Sequence, residues 1–222
     1  MKRTLIRLFA AFLLLAIVPN PAAAQSRALQ KALKKEYKAR KKELKKEGWA
    51  VYGSDRSIDV TLLEYYDNLN AKGDDVQRVM GTAKSANKRV LRNEALADAC
   101  ERYSTMAGAT VEGKVADDMS NLDDAQKTAF THFYAAYIAN VKNEIKGEMQ
   151  EGYSVVRSEK GQVNGSRGDI YELQSFFVID KDAASRARIR ACQNALAETE
   201  AAQEFARKIS EFVKEDVDEA AE

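Results

Sequence analysis

Few residues in this 222-residue chain have the types and spacing that chemistry demands, and each supports a structural reading as well. There is a single His and there are two Cys, which removes zinc clusters, disulfide-dense scaffolds and any mechanism that needs two imidazoles. His132 has no Cys or His at helical spacing, and as a general base it would need a nucleophile and an orienting carboxylate brought in by the fold. It reads as a surface or boundary residue. Gly108 to Lys114 matches most of a phosphate-binding loop. Position 115 is Val, however, where Mg²⁺ binding needs Ser or Thr, and a helix precedes the glycine where a strand should. Asp117, Asp118, Asp123 and Asp124 surround a helix start, where negative charge suits the dipole. They lack the glycine-turned loop of a Ca²⁺ site. Arg167-Gly168-Asp169 spells an integrin tripeptide, but a hairpin loop accounts for Gly168 and Asp169. Glu64, Asp67 and Glu94 are carboxylates that would serve a glycan hydrolase if they faced one cleft, and no spacing singles out a pair. The residues call for no cofactor and no metal.

Cys100 and Cys192 each fall on the apolar stripe of a helix. In an oxidising compartment a disulfide between them is one reading, and two separate buried thiols are the other. The most distinctive charge pattern is Arg27 to Lys46, with ten Lys or Arg against Glu36 and Glu43. Lys31, Lys34, Lys35, Lys38, Lys41, Lys42 and Lys45 are its candidate surface-binding residues. Such a helix can lie weakly on an anionic surface, bind an acidic partner, or meet the acidic stretch Glu211 to Glu222. Few bulky residues line its Leu stripe, which argues for docking or protein contact over lipid insertion.

The elements that position these residues begin with an address. Lys2, Arg3 and Arg7 precede an unbroken apolar run from Leu8 to Val18. Pro19, Asn20 and Pro21 follow, then Ala22-Ala23-Ala24, the pattern of a secretory signal peptide over residues 1–24. The run covers about half of the ~20 apolar residues a transmembrane span needs. Gln25 stands where a lipoprotein would carry Cys, so the expected product is periplasmic or secreted without a lipid anchor. The cleaved chain would carry 32 basic and 34 acidic side chains, and net charge gives no case for nucleic acid.

The mature chain has no Pro, and its glycines separate long periodic stretches. Leu29, Leu33, Tyr37 and Leu44 mark a basic helix over 25–47 ending at Gly48. Ile58, Leu62, Tyr65 and Leu69 mark a second helix, capped by Ser57. Leu91, Ala95, Ala99 and Tyr103 lie on a third, from about Asn87 to Ala107. A fourth opens at Ser120 with Asp123 as a capping box and carries Ala129, Phe133, Tyr137, Val141 and Ile145. The fifth starts near Asp182, with Ile189, Cys192, Leu196, Ala206, Ile209 and Val213 on one side. Strand patterns cover Val79 to Ala83, Ala109 to Val115, Tyr153 to Arg157 and Ile170 to Ile179. The last two are joined by a loop with Asn164-Gly165. The expectation is α+β: a small, mostly antiparallel sheet with helices packed on one face, a long C-terminal helix and an N-terminal basic helix. It forms a single domain over 48–214 with an acidic tail over 215–222.

Three features over about residues 76–182 resemble the LPP-twenty lipoprotein family and related exported bacterial envelope proteins. They are Gly81-Thr82-Ala83-Lys84-Ser85 running into the Ala-rich helix Asn93 to Ala99; that helix leading to Gly108 to Val115; and the hairpin of Gly152 to Val156 with Ile170 to Gln174. The resemblance implies an envelope location in a Gram-negative bacterium and an α+β domain without established enzymatic activity. Some relatives are outer-membrane lipoproteins and others assist surface appendages. The expected function is therefore a non-catalytic, exported envelope protein that contacts another envelope protein or itself. A carboxylate-based periplasmic hydrolase and an envelope-surface binder using the basic helix are the alternatives.

Overall fold

The computed structural model describes residues 21–119, 124–163 and 166–198. The order is α1 (Pro21–Lys46), β1 (Ala50–Val51), α2 (Ile58–Lys72), β2 (Val76–Ser85), α3 (Lys88–Met119), α4 (Asp124–Lys146), β3 (Gln150–Val163), β4 (Ser166–Asp180) and α5 (Lys181–Glu198). The signal-peptide residues up to Asn20, the Ser120 and Asp123 capping box, Asn164-Gly165, the apolar residues 206–213 and the acidic tail lie outside the described residues.

Every strand pair is antiparallel, in the order β1-β3-β4-β2. The fold is α+β, as expected. Alternation along β4 shows how its two faces are used. Leu173, Ser175, Phe177 and Ile179 point one way; all four are buried, Ile179 within the cluster built from α3, α4 and α5. Phe176 and Val178 point the other way, into a second core with Leu33 and Leu44 of α1 and Leu62, Tyr65 and Tyr66 of α2. The expected helical layer on one face is present, and α1 with α2 covers the other. The basic helix is therefore part of the fold.

Local chemistry fixes several boundaries. Helix α1 starts on Pro21, a residue tolerated in a first turn, ahead of the expected cleavage point after Ala24. It closes through Gly48, whose φ of 73° suits a residue without Cβ. The Trp49 N–H returns to the Leu44 carbonyl at 3.0 Å, and both side chains enter the same cluster, a Schellman closure. Ser57 caps α2 by accepting from the Val60 N–H at 3.3 Å. Asp180 ends β4 and caps α5 by accepting from the Ala183 N–H at 3.0 Å.

The expected strand at 109–115 is not formed, because α3 is one 32-residue helix through it. Thr110 and Val111 suggested alternation, but Tyr103, Ala107 and Val111 continue the buried helical stripe. Gly108 serves close packing there: a Cβ would stand 2.8 Å from Ile138 Cδ1 of α4. Thr110 satisfies its hydroxyl by donating to the Met106 carbonyl at 3.1 Å.

Helix α3 rests directly on the sheet. A Cβ at Gly81 would lie 1.8 Å from the Ala95 carbonyl oxygen. Gly81 pairs with Ser175, which pairs with Ser154, so small residues run across three strands beneath the helix. The two buried hydroxyls meet at 2.6 Å. Ser154 also lies 2.6 Å from Glu151 Oε1, and Arg92 of α3 donates to Glu151 Oε2 at 2.6 Å. Helix α5 packs on α4 through Ala184, Ala187, Ala191 and Ala195, all buried. Beyond Tyr171, where β2 ends its pairing, β3 and β4 continue alone from Glu159↔Ile170 to Val163↔Ser166.

Candidate functional site

Helix α1 has two working faces. One docks: Leu33 and Leu44 enter the core with Trp49. Glu36 accepts from Arg78 Nη1 at 2.7 Å and from the Tyr66 hydroxyl at 3.1 Å, and Arg40 reaches Gln174 Oε1 at 2.5 Å. The other is the lysine ridge. Steps of three and four residues keep Lys31, Lys34, Lys35, Lys38, Lys41, Lys42 and Lys45 on one side of the helix. Lys41 and Lys45 share Asp59 of α2, at 3.3 and 2.9 Å, and they hold its carboxyl below the usual range. Lys31, Lys34, Lys35, Lys38 and Lys42 are exposed and form no ion pair among the described residues. Structure thus divides the seven candidates into two that bind α2 and five that face solvent.

Between α1, α2 and the sheet lies a cavity of about 420 Å³, walled by Glu36, Arg40, Glu43, Tyr66, Tyr153 and Phe176 among others. The Arg40 guanidinium sits 4.8 Å over the Phe176 ring, and Tyr153 stacks on that ring at 4.4 Å. Burial pushes the Tyr153 phenol up to about 12, against the pull of nearby Arg40, so it stays protonated at neutral pH. A second cavity of about 440 Å³ lies beside it and shares Tyr65 and Tyr153; Arg56, Glu64, Asn68 and Lys72 are on its wall. Sequence reading missed both cavities. Their walls join distant segments, and the signal available for the first was the pair of polar residues, Glu36 and Arg40, on the docking side of a helix that otherwise docks through Leu and Tyr.

The remaining candidates separate. Cys100 and Cys192 are free, each 2% exposed, in the same core cluster. Cys100 Sγ lies 3.8 Å from Met149 Sδ. Burial pushes the Cys192 thiol up to about 11 and raises that of Cys100 against nearby Lys146 and Lys142; both are inert core thiols. Glu64 pairs with Arg56. Glu64 and Asp67 stand on α2 and Glu94 on α3, on opposite sides of the sheet, so the three do not form one cleft. His132 is exposed on α4. Arg167-Gly168-Asp169 lies within β4, where the expectation was a loop, because strand pairing continues to Val163↔Ser166; Asp169 pairs with Lys160 at 2.6 Å. No three His, Cys, Asp or Glu side chains gather as metal donors among the described residues, and no helix among them is long and apolar enough to cross a membrane. No protein-family model matches the chain, and neither a curated protein nor a solved structure is significantly similar to it.

Proposed function

We propose that the chain is an exported, non-catalytic contact protein of the bacterial envelope that engages an acidic protein partner through the lysine ridge of α1. One observation carries this reading: the fold consumes the opposite face of α1 and leaves five lysines of one helix side exposed, without an ion pair among the described residues. Concentrated like charge costs folding energy through self-repulsion, so its retention is best understood as serving something outside the fold. The leader over residues 1–24 and the resemblance to exported envelope proteins supply the location. The ridge bears no aromatic side chain to insert between lipids, which favours a protein surface over a bilayer.

The test is crosslinking in intact cells, with Lys31, Lys35, Lys38 and Lys42 replaced together by Glu. All four are exposed, so the variant should retain the melting temperature within a few degrees. The reading expects a specific crosslinked species that disappears in the variant and weakens when salt is raised, since screening shortens electrostatic reach to ~3 Å at 1 M. An unchanged crosslink in the variant would reject the ridge as the contact. Sedimentation of the pure chain with phosphatidylglycerol vesicles, abolished by the same substitutions, would assign the ridge to lipid instead.

A further inference from the structure

The cavity between α1, α2 and the sheet contains two buried polar atoms without a hydrogen bond of normal geometry. They are Tyr153 Oη, on a residue 5% exposed, and Arg40 Nε. Neither side chain is free to search for a partner. The Tyr153 ring is held between Phe176, at 4.4 Å, and Tyr65, at 4.9 Å. Arg40 is held by Gln174 and by the Phe176 face, with the half-exposed Glu43 at 2.9 Å on its outer side. A guanidinium N–H can only donate. Arg40 already leans on the phenol oxygen, a contact that draws the phenol down and raises the guanidinium, and the phenol's own proton still needs an acceptor. What the site lacks is an acceptor.

The surrounding charge narrows the class. Arg40 lies beside Glu43 on α1, and Arg78 of β2 reaches across to Glu36, so the wall is balanced. Glu36 is committed to Arg78 and Tyr66, whereas the Glu43 side chain is half exposed and can yield Arg40. Once Glu43 turns outward, Arg40 matches one negative charge, whereas a second would face Glu36 with Arg78 already committed. Met80, Tyr65 and Tyr66 supply apolar wall for the rest of a ligand, and the volume is within the ~300–1,000 Å³ of small-molecule pockets. We propose that this cavity binds a small monocarboxylate with an apolar body, its carboxylate taken by Arg40 Nε–H and Tyr153 Oη–H.

Calorimetric titration of the purified chain with octanoate and with benzoate tests this, using benzamide and inorganic phosphate as comparators. The expected result is saturable one-site binding of at least one acid, weakened about ten- to a hundredfold by Tyr153→Phe and by Arg40→Lys. Without ligand, Tyr153→Phe should melt at or above the temperature of the parent chain, because the hydroxyl it removes lacks an acceptor. Absence of saturable binding by both acids would overturn the proposal and leave the cavity to water. Benzamide binding as well as benzoate, or phosphate binding more tightly than either acid, would overturn it too. So would a fall of more than about 4 °C in the melting temperature of Tyr153→Phe, since the hydroxyl would then already be satisfied.

Discussion

Asp98 shows how one side chain can finish a sheet. Strand β2 is an edge, and Thr82 on it has an outward N–H. Asp98 Oδ2, from α3, accepts from that N–H at 2.7 Å, from the Thr82 hydroxyl at 3.1 Å and from Arg102 Nε at 2.9 Å. Burial works to raise the carboxyl, but these donors more than compensate and leave it below its ordinary value. A carboxylate held lower in the folded state stabilises the protein above its unfolded pKa, and that contribution fades as pH falls through the folded value. Asp98→Asn should therefore cost about 1–2 kcal/mol at pH 7. Urea titrations of both proteins at descending pH should show the gap narrowing once the carboxylate of the parent protonates. Nothing in the sequence marked Asp98, which lies on the polar side of an Ala-rich helix. Its partner is backbone, and an amide N–H has no sequence signature.

Elements built on period were legible; elements built on contact were not. Ser57, Gly48 and the Leu or aromatic residues at i,i+4 placed α1, α2 and α4 to within a few residues, because capping and amphipathicity are local. The two-residue β1 left no pattern to read. Thr110, Val111 and Val115 mimicked a strand because their β-branched side chains favour one; burial of Val111 on the helical stripe prevailed. In α5 the sequence drew attention to Ile189, Cys192 and Leu196; Cys192 is buried and the other two pack against the same cluster, but alanines form most of the buried stripe, since close helix approach favours the smallest apolar side chain. The same logic makes Gly81 the seat of α3. Gly81→Ala should push helix from strand and cost about 3 kcal/mol or more, read as a fall in the denaturation midpoint. An equally stable variant would mean that α3 does not rest where the backbone contact puts it.

At the scale of the molecule, the sheet is enclosed by helices on both faces. This follows from β4, whose alternating residues are buried on either side. The sequence pattern supports helices on one face; Phe176 and Val178, the apolar residues that alternate with Ser175, Phe177 and Ile179, carry the other layer. The cavity under α1 was beyond its reach for the same reason, because a wall shared by α1, α2 and β3 exists only once the second layer is in place.

Past Tyr171 the hairpin leaves this enclosure and its rungs are held by one neighbour each, and a lone two-stranded ribbon is marginal in water. Amide hydrogens of Glu159 to Val163 and of Arg167 to Ile170 should therefore exchange with deuterium well before those of Leu173 to Ile179, under conditions where the body stays folded. Uniform protection along both strands would contradict this. If the gradient is found, one continuous hairpin belongs to two regimes: its root melts only with the whole protein, while its far end opens and recloses by itself, a hinge-free way for a rigid body to carry a yielding arm.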